Sequence, residues 1–240
     1  MYDRRIAGKE LTFGVSGKLH ANSLIMYDHQ TDGLWSHLVG SAVTGSLQGE
    51  KLKPIESMFT RWETWKRLYP GSKVLTTGRT SFFGSLRDPY KSYYRSSDTG
   101  IIPTRLSDNR IYPKEFVLGL VIHDKAKAFP FSVLSRRPVA NDEFEGVSLL
   151  VIFDEESTTG RVFKRKVKGQ TLSFKKAEET GQKGFFVVDD VTGSVWNGLT
   201  GLAVQGRLKG EKLKALPLTR SFWFGWVDHY PKTKIFLANK

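Results

Sequence analysis

The sequence predicts an α+β protein that is mostly β and consists of two tandem copies of a β-meander-plus-helix unit, related by a pseudo-twofold duplication. Three features support this prediction: an internal repeat, apolar runs of strand length between turns, and an amphipathic helical segment that closes each copy. An offset of 161 residues aligns residues 2–75 with 163–236 without a gap, and the best-matched stretches are Gly45–Lys53 and Gly206–Lys214. Self-similarity of this kind is typical of a repeated structural unit.

Each copy is expected to contain a short β-meander. The apolar runs Leu24–Tyr27 and Phe185–Val188 have the length of strands and are followed by turns that begin with aspartate. Aspartate favours turns because its side chain can hydrogen-bond to the backbone ahead of it. Trp35 and Trp196 then open the returning strands, where an aromatic side chain fits a half-buried pleated surface.

A helix is expected to close each copy, over Phe59–Leu68 in the first and Ser221–His229 in the second. The aromatic residues recur three and four positions apart, which places them on one helical face, and a proline follows each segment. Core packing is the most frequent role of such residues. We therefore predict matching buried environments for Trp62 and Trp223, as for the two tryptophans of the meanders.

Further strands are predicted before the repeated block of the second copy. They are Val117–Ile122, Ala126–Val133 and Val147–Phe153. At the same offset their counterparts would fall before residue 1, so the first copy is expected to be incomplete on its N-terminal side. An unpaired sheet edge invites pairing with another chain, and self-association through the first copy is the corresponding expectation.

The expected organisation is two repeat copies joined by a strap: copy one at 1–75, the strap at 76–116 and copy two at 117–240. A long connection with little periodicity is often functional. Arginines in it offer forked donors for carboxylate or phosphate groups, and tyrosines offer stacking faces. The ligand-binding candidates in the strap are Arg79, Arg87, Tyr90 and Tyr94. The alternative is an ordered strap that packs over both copies.

Polar residues present in one copy only are further site candidates, because residues shared by both copies are expected to maintain the shared fold. Alternate residues of a strand point to one side, so His20, Asn22 and Met26 are predicted to line one surface. Imidazole and thioether groups suit a soft metal such as copper, whereas solvated histidines near a strand are the alternative. His20 and Asn22 are therefore ligand-binding candidates, and no metal site and no cofactor are predicted.

Asp28 is a ligand-binding candidate of another kind, because it recurs as Asp189 and both are followed by threonine and tryptophan. Two carboxylates can act as acid and base, but nothing in the sequence brings this pair together, and turn capping is the alternative. The Gly45–Lys51 stretch departs from a phosphate-binding loop in spacing, and no other catalytic motif is found. No catalytic residue is predicted, and the lack of a catalytic motif in the sequence favours a protein without enzymatic activity.

Composition and charge exclude several classes of protein. The chain has 240 residues and no cysteine, which excludes disulfides, thiol catalysis and iron–sulfur clusters within it. No apolar run approaches the roughly 18 residues of a membrane span.

The net charge of +13 is concentrated in residues 163–240, where 15 basic residues face 6 acidic ones. A basic surface attracts polyanions such as nucleic acid, anionic lipid headgroups or wall polymers. The absence of a nucleic-acid-binding motif from the sequence disfavours nucleic acid. The polyanion-binding candidates are Lys164, Arg165, Lys166 and Lys168. A solvated basic surface without a partner is the alternative.

Five motifs spread over the chain indicate a relationship to a known family. They are Thr12–Gly17, Met26–Ser36, Arg87–Tyr90, Pro113–Glu115 and Phe222–Trp226. This combination resembles the prokaryotic family called domain of unknown function 3179. Members of that family usually carry an upstream Cys-Pro-x-Cys-Gly stretch and a histidine, so the resemblance implies an N-terminally truncated member. It also implies an exported, envelope-associated protein, and it supplies no reaction.

Three functions stay open at the level of sequence. The leading hypothesis is a non-enzymatic binding or structural module of the cell envelope, with an anionic ligand or polymer as partner. The second is a redox or metal-binding protein whose cysteine-containing N-terminal half is missing here. The third is a polyanion-binding module that uses the basic second copy.

Overall fold

The first part of the chain forms two small sheets followed by a helix. A computed structural model describes residues 1–6, 8–75, 90–104, 106–178, 181 and 183–237. The elements of the first part are β1 (Arg5–Ile6), β2 (Lys9–Glu10), β3 (Phe13–His20), β4 (Ser23–Asp28), β5 (Leu34–Ser36) and α1 (Trp62–Leu68). β1 and β2 form a hairpin, and β3, β4 and β5 form an antiparallel sheet in that order.

The rest of the chain contains the larger sheets. Its elements are α2 (Lys91–Arg95), β6 (Phe116–Ile122), β7 (Lys125–Pro130), α3 (Phe131–Arg136), β8 (Val139–Phe144), β9 (Val147–Asp154), β10 (Thr159–Lys164), β11 (Lys166–Val167), β12 (Gln170–Thr171), β13 (Phe174–Lys176), β14 (Phe186–Asp189), β15 (Val195–Asn197), β16 (Ala203–Gln205), β17 (Lys214–Ala215), β18 (Thr219–Phe222), α4 (Trp223–His229) and β19 (Lys234–Ile235). The predicted mostly β character is confirmed. None of the described helices is long and apolar enough to cross a membrane.

Three four-stranded sheets pack as layers in this larger region. The middle sheet has the order β17-β10-β9-β8, and the outer sheets have the orders β18-β6-β7-β19 and β13-β14-β15-β16. Leu149, Val151 and Phe153 of β9 pack with residues of β6 and β7. Leu150 and Ile152 point to the other face and pack with residues of β14 and β15. Because β9 is buried on both faces, its sequence is a continuous apolar run.

Two turns separated by 161 residues have the same hydrogen bonds. The carboxylate of Asp28 accepts hydrogen bonds from the backbone N–H of Thr31 at 2.6 Å, its hydroxyl at 2.8 Å and the indole of Trp35 at 2.8 Å. The corresponding bonds to Asp189 measure 2.6, 2.8 and 3.0 Å and come from Thr192 and the tryptophan that follows it. Both tryptophans are fully buried, as predicted.

Both closing helices are present but begin later than predicted, α1 at Trp62 and α4 at Trp223, because the residues before α4 belong to β18. The predicted match between Trp62 and Trp223 is wrong. Trp223 on α4 is fully buried, whereas Trp62 on α1 is 54% exposed. The reason is the surface available to each helix. α4 packs against an outer sheet, where Val117 and Ala128 lie in the same apolar cluster as Trp223. α1 contacts the apolar cluster of two sheets through Leu68, at the end of the helix, and Trp62 at its start is not part of that cluster.

Two of the predicted upstream strands are confirmed as β6 and β9, and the third ends earlier than expected. The prediction extended a strand over Ala126–Val133, but β7 ends at Pro130 and α3 begins at the next residue. α3 buries the adjacent Val133 and Leu134. A short apolar run does not by itself distinguish a strand from a buried helical turn.

Candidate anion-binding site

Strand β18 places Arg220 beside a pair of stacked aromatic rings. β18 pairs antiparallel with β6, so that Arg220 lies opposite Leu118 and Phe222 lies opposite Phe116. Alternate residues of a strand share a face, and Arg220 and Phe222 therefore project to the same side. The rings of Phe222 and Phe116 stack with their centroids 4.3 Å apart.

Three phenylalanine rings surround the guanidinium of Arg220. Its central carbon lies 4.3 Å from the ring centre of Phe59, 4.4 Å from that of Phe116 and 5.2 Å from that of Phe131. Attraction between a cation and an aromatic face contributes about 0.5–1 kcal/mol at exposed sites and more where water is excluded. The rings therefore hold the guanidinium in place without using its N–H donors.

The guanidinium of Arg220 has no acidic partner among the described residues. Its Nη1 atom is buried without a hydrogen-bond acceptor, and none of the described ion pairs includes Arg220. Burial lowers the pKa of Arg220, an effect that the nearby Tyr94 opposes, and an arginine stays charged in a protein. A buried donor without a partner costs about 1–3 kcal/mol.

Arg161 shows how a more deeply buried arginine is neutralised in the same protein. Its Nη2 atom forms an ion pair with Glu56, and its Nη1 atom donates to the backbone carbonyl of Ser57 at 3.2 Å. Its guanidinium also lies 5.1 Å from the ring centre of Phe163. Both arginines therefore contact phenylalanine, but Arg161 has a carboxylate partner in the described structure and Arg220 has none.

Helix α2 of the strap adds aromatic surface next to Arg220. The ring centroids of Tyr93 and Tyr94 both lie 6.2 Å from that of Phe222. Tyr94 is 53% exposed and Phe59 is 65% exposed. Aromatic surface beside the guanidinium is therefore accessible from solvent.

Lys114 fixes the position of α2. Its buried ammonium donates to the backbone carbonyls of Tyr93 and Ser96, the second at 2.8 Å, and lies 3.8 Å from the ring centre of Tyr93. Carbonyls at the end of a helix lack helical partners, and a lysine can supply one. Lys114 is therefore a positioning residue whose charge is engaged within the protein, and it keeps Tyr94 near Arg220.

Two of the four ligand-binding candidates in the strap, Tyr90 and Tyr94, are among the residues that the structure describes. Tyr94 lies at the site, and Tyr90 precedes α2 with an exposed side chain. The backbone carbonyl of Tyr90 accepts a hydrogen bond from the N–H of Tyr94 at 2.9 Å. The candidates Arg79 and Arg87 lie outside the described residues.

Asn22 fastens the strap to the first part of the chain. Its amide nitrogen donates to the carbonyl of Ile102 at 2.8 Å, and its amide oxygen accepts from the N–H groups of Ile101 and Ile102 at 3.0 Å each. These three bonds engage both polar atoms of the side-chain amide, Nδ2 and Oδ1. Its geometry therefore matches the alternative of an ordered strap, with Asn22 as an anchor.

The predicted common surface of His20, Asn22 and Met26 is wrong. β3 ends at His20 and β4 begins at Ser23, and the two residues between them, Ala21 and Asn22, have φ values of 47° and 56°. Two consecutive positive φ values are typical of a two-residue hairpin turn. Because the chain reverses here, the alternation along a single strand does not apply. Met26 packs instead against the apolar core of the first part.

His20 approaches a histidine from the other end of the chain. Its ring centroid lies 5.8 Å from that of His229 on α4, and the Nε2 atom of His229 lies 3.1 Å from the hydroxyl oxygen of Ser23. The described residues contain no group of three or more histidine, cysteine, aspartate or glutamate side chains that could hold a metal ion. His20 thus lies at a contact between the two parts of the chain.

The structure corrects the assignment of Asp28 as a ligand-binding residue. Its side chain is fully buried, and its oxygens accept hydrogen bonds from Thr31, Trp35 and the N–H of Gln30. It therefore has no exposed surface to offer a ligand. The geometry is that of turn capping, the alternative considered above.

The basic candidates lie on and between strands β10, β11 and β12, away from Arg220, and part of their charge is engaged locally. Arg165 donates to a backbone carbonyl at 2.8 Å, and Lys168 forms an ion pair with a glutamate at 2.8 Å. Lys164 lies directly opposite Lys214 across the β10–β17 pair, and Lys166 is exposed. Like charges opposite each other are unfavourable, so an anion bound between Lys164 and Lys214 would relieve a repulsion.

Arg220 is not among the residues predicted from the sequence, although the sequence contains a signal for it. The 161-residue offset aligns Arg220 with Phe59. The criterion of a polar residue present in one copy only therefore applies to Arg220, whereas the candidates predicted by it all lie in the first copy. The aromatic residues that surround Arg220 come from segments far apart in the sequence, so they do not form a motif of fixed spacing.

The fold and the site together define a β-rich protein with a half-buried, aromatic-lined cationic site. The family model described as "Protein of unknown function (DUF3179)" matches residues 1–236. The chain therefore belongs to this family, as its motifs indicate. The searches of curated proteins and of solved structures gave no match.

Proposed function

We propose that this protein is a non-enzymatic binding module that recognises an anionic group, either a carboxylate or a phosphate, at Arg220. The observation that supports this most directly is a half-buried guanidinium without an acidic partner in the described structure. The planar guanidinium presents parallel N–H donors that match two oxygens of such a group.

The ligand is proposed to carry a flat or apolar part next to its anionic group. Phe59 and Tyr94 expose aromatic surface beside Arg220, and the ring of Phe222 contacts both that of Tyr94 and that of Phe116. Contact with an apolar group removes this surface from water and allows ring stacking. Aryl and alkyl carboxylates or phosphates are therefore favoured over inorganic anions.

We infer that the site is formed by two tandem copies, at 1–75 and 117–240, with the strap at 76–116. Equal contacts at equal spacing support this organisation. The indole of Trp65 donates to the hydroxyl of Ser72 at 2.9 Å, and that of Trp226 donates to the hydroxyl of Thr233 at 2.9 Å. In this interpretation the second copy supplies the arginine, and the first copy supplies the ring of Phe59.

The cell envelope is the proposed location of the module, on the basis of the family resemblance alone. Anionic lipid headgroups and wall polymers there carry the groups that Arg220 is proposed to bind. A redox or metal-binding protein is the alternative, and the described residues contain no cluster of three or more metal-ligating side chains that would support it.

The binding of a polyanion is a second candidate function, and the register of two lysines favours it. Lys164 and Lys214 face each other across β10 and β17. The double variant K164Q/K214Q is expected to elute from immobilised heparin at lower salt than wild type, and K9Q/K18Q, which removes two exposed lysines of the first part, serves as the control. Equal elution of wild type and K164Q/K214Q would contradict this function.

Calorimetric titration with small anions tests the proposed role of Arg220. Benzoate and phenyl phosphate are expected to bind at low ionic strength, and neutral benzyl alcohol is not. Arg220→Gln is expected to weaken binding about tenfold or more, because charge-assisted hydrogen bonds contribute about 1.5–3 kcal/mol. Arg220→Lys keeps the charge without the planar donors and is expected to have intermediate affinity.

Arg207→Gln provides the matched control, since Arg207 is an exposed arginine on another turn. It is expected to bind both anions as wild type does. A folded Arg220→Gln variant with the affinity of wild type would refute the proposal.

A further inference from the structure

A separate cavity of about 280 Å³ lies where the first and second parts of the chain meet. Leu38 and Tyr2 line it from the first part, and Val121, Thr219 and Tyr230 line it from the second. Thr219 precedes Arg220 on β18, and neighbouring strand residues point to opposite faces. The cavity is therefore separate from the anion-binding site.

The size and walls of the cavity suit a small apolar molecule. Side chains of Leu38, Val39, Leu52, Val121 and Leu218 contribute apolar surface to it. An apolar cavity of about 150 Å³ is sufficient for benzene. This cavity is almost twice as large and therefore has room for a single ring with a short substituent.

Two tyrosine hydroxyls are among the polar groups of the residues that line the cavity. Burial and the neighbouring Tyr230 raise the pKa of Tyr2 to about 12, and burial together with Asp124 raises the pKa of Tyr230. Both hydroxyls therefore stay protonated near neutral pH. The hydroxyl of Tyr2 donates to the carbonyl of Leu38 at 2.8 Å. That of Tyr230 has no acceptor among the described residues, so one donor is available to a ligand.

An ion pair connects the two parts of the chain at the cavity. The ammonium of Lys51 lies 2.8 Å from the carboxylate of Asp124, both side chains are largely exposed, and both residues line the cavity. The opposite charges compensate each other, so this pair adds no net charge. Met1 also lines the cavity, and burial lowers the pKa of its α-amino group, which favours the uncharged amine. An anionic ligand would therefore lose its hydration for at most a weakened counter-ion, which is costly.

We propose that this cavity binds a small, uncharged, mainly apolar molecule whose single hydrogen-bond acceptor, such as a carbonyl oxygen, faces the hydroxyl of Tyr230. The apolar part of the ligand lies against Leu38, Val121 and Leu218. This site differs from the Arg220 site in the charge of its ligand, and either site can be present without the other.

Amide NMR titrations of the full chain with three probes test the proposal. Acetophenone is expected to shift the amide signals of Leu38, Val121 and Leu218. Ethylbenzene, which lacks the acceptor, is expected to shift the same signals with about fivefold lower affinity. Benzoate is expected to leave them unchanged, even where it shifts signals near Arg220.

Two variants and a control complete the test. Val121→Trp fills the cavity and is expected to abolish acetophenone binding, whereas Val15→Trp, at an exposed position on β3 outside the cavity, is expected to retain it. Tyr230→Phe is expected to reduce the affinity for acetophenone to that for ethylbenzene. The proposal is overturned if wild type gives no shifts with acetophenone at millimolar concentration, or if folded Val121→Trp binds it unchanged.

Discussion

The indole nitrogen of Trp35 donates a 2.8 Å hydrogen bond to the carboxylate of Asp28, and both side chains are completely buried. A buried carboxylate is stable only where its oxygens accept hydrogen bonds. Thr31 supplies two of these bonds from the same turn. The contact therefore joins the turn to the apolar core, and the same arrangement occurs around Asp189 and Trp196.

Replacing this carboxylate by an amide is expected to destabilise the fold. In Asp28→Asn the amide group would direct donor hydrogens toward the donors of Thr31 and Trp35. We expect the free energy of unfolding in urea to fall by about 1–3 kcal/mol, the range for an unsatisfied buried polar group. Asp32→Asn, at an exposed position of the same turn, is the control. A change below about 0.5 kcal/mol in Asp28→Asn would show that the contact is not stabilising.

Stability is also expected to decrease in acid because of these carboxylates. Burial acts to raise the pKa of Asp28, but hydrogen bonds from Trp35 and Thr31 lower it more, and the pKa lies below its ordinary value. Asp189 behaves in the same way. A carboxyl whose pKa is depressed by folding stabilises the protein above its unfolded pKa, near 3.9, and loses this contribution as the pH falls through the folded value.

Thermal unfolding as a function of pH measures this effect. The midpoint temperature is expected to fall as the pH decreases from about 5 to below 4. The double variant Asp28→Asn/Asp189→Asn is expected to show a weaker dependence over the same range. Equal slopes for the variant and wild type would mean that other groups control acid unfolding.

The difference between the two closing helices predicts unequal effects of tryptophan removal. Trp223→Ala is expected to lower the free energy of unfolding by about 3–5 kcal/mol, because the side chain is fully buried. Trp62→Ala is expected to cost about 1–2 kcal/mol, because more than half of the residue is exposed and less apolar area is removed from water. Chemical denaturation of both variants measures these losses in the free energy of unfolding. Similar losses in the two variants would indicate that Trp62 is covered in solution.

Removal of the Asn22 side chain is expected to release the strap locally. In Asn22→Ala the N–H groups of Ile101 and Ile102 lose their acceptor, and their amide hydrogens are expected to exchange about tenfold faster or more. Lys18→Ala, at an exposed position on the strand before the same turn, is the control. Unchanged protection of both amides would show that the strap is held by other contacts.

Much of the secondary structure could be predicted because local patterns determine it. The runs that become β4, β6 and β9 are apolar over the length of a strand, and the helical spacing of the aromatic residues predicts α4. The error at His20 has a local cause as well, because Ala21 and Asn22 form a turn although neither is glycine. The local sign of the reversal is Asn22 alone, a residue type that tolerates positive φ. Without a glycine or proline this sign is weak.

The candidate site could not be predicted because it depends on contacts between distant segments. Phe59, Tyr94, Phe131 and Arg220 come from four separate parts of the chain. The burial of Trp223 and the exposure of Trp62 likewise depend on which sheet lies next to each helix. The aromatic spacing alone is the same in both segments and cannot distinguish them.

The binding of an anion by Arg220 is tested most directly by NMR. The measurement is the chemical shift of the Arg220 side-chain Nε–H group during titration with benzoate. This signal is assigned to Arg220 because it is absent from the spectrum of the Arg220→Gln variant. If Arg220 binds the anion, its Nε–H signal shifts downfield and saturates with the same dissociation constant as the heat of binding, while the Nε–H signal of Arg207 stays unchanged. An Arg220 signal that does not move while benzoate binds, or that moves only in parallel with that of Arg207, would contradict the assignment of Arg220 as the anion-binding residue.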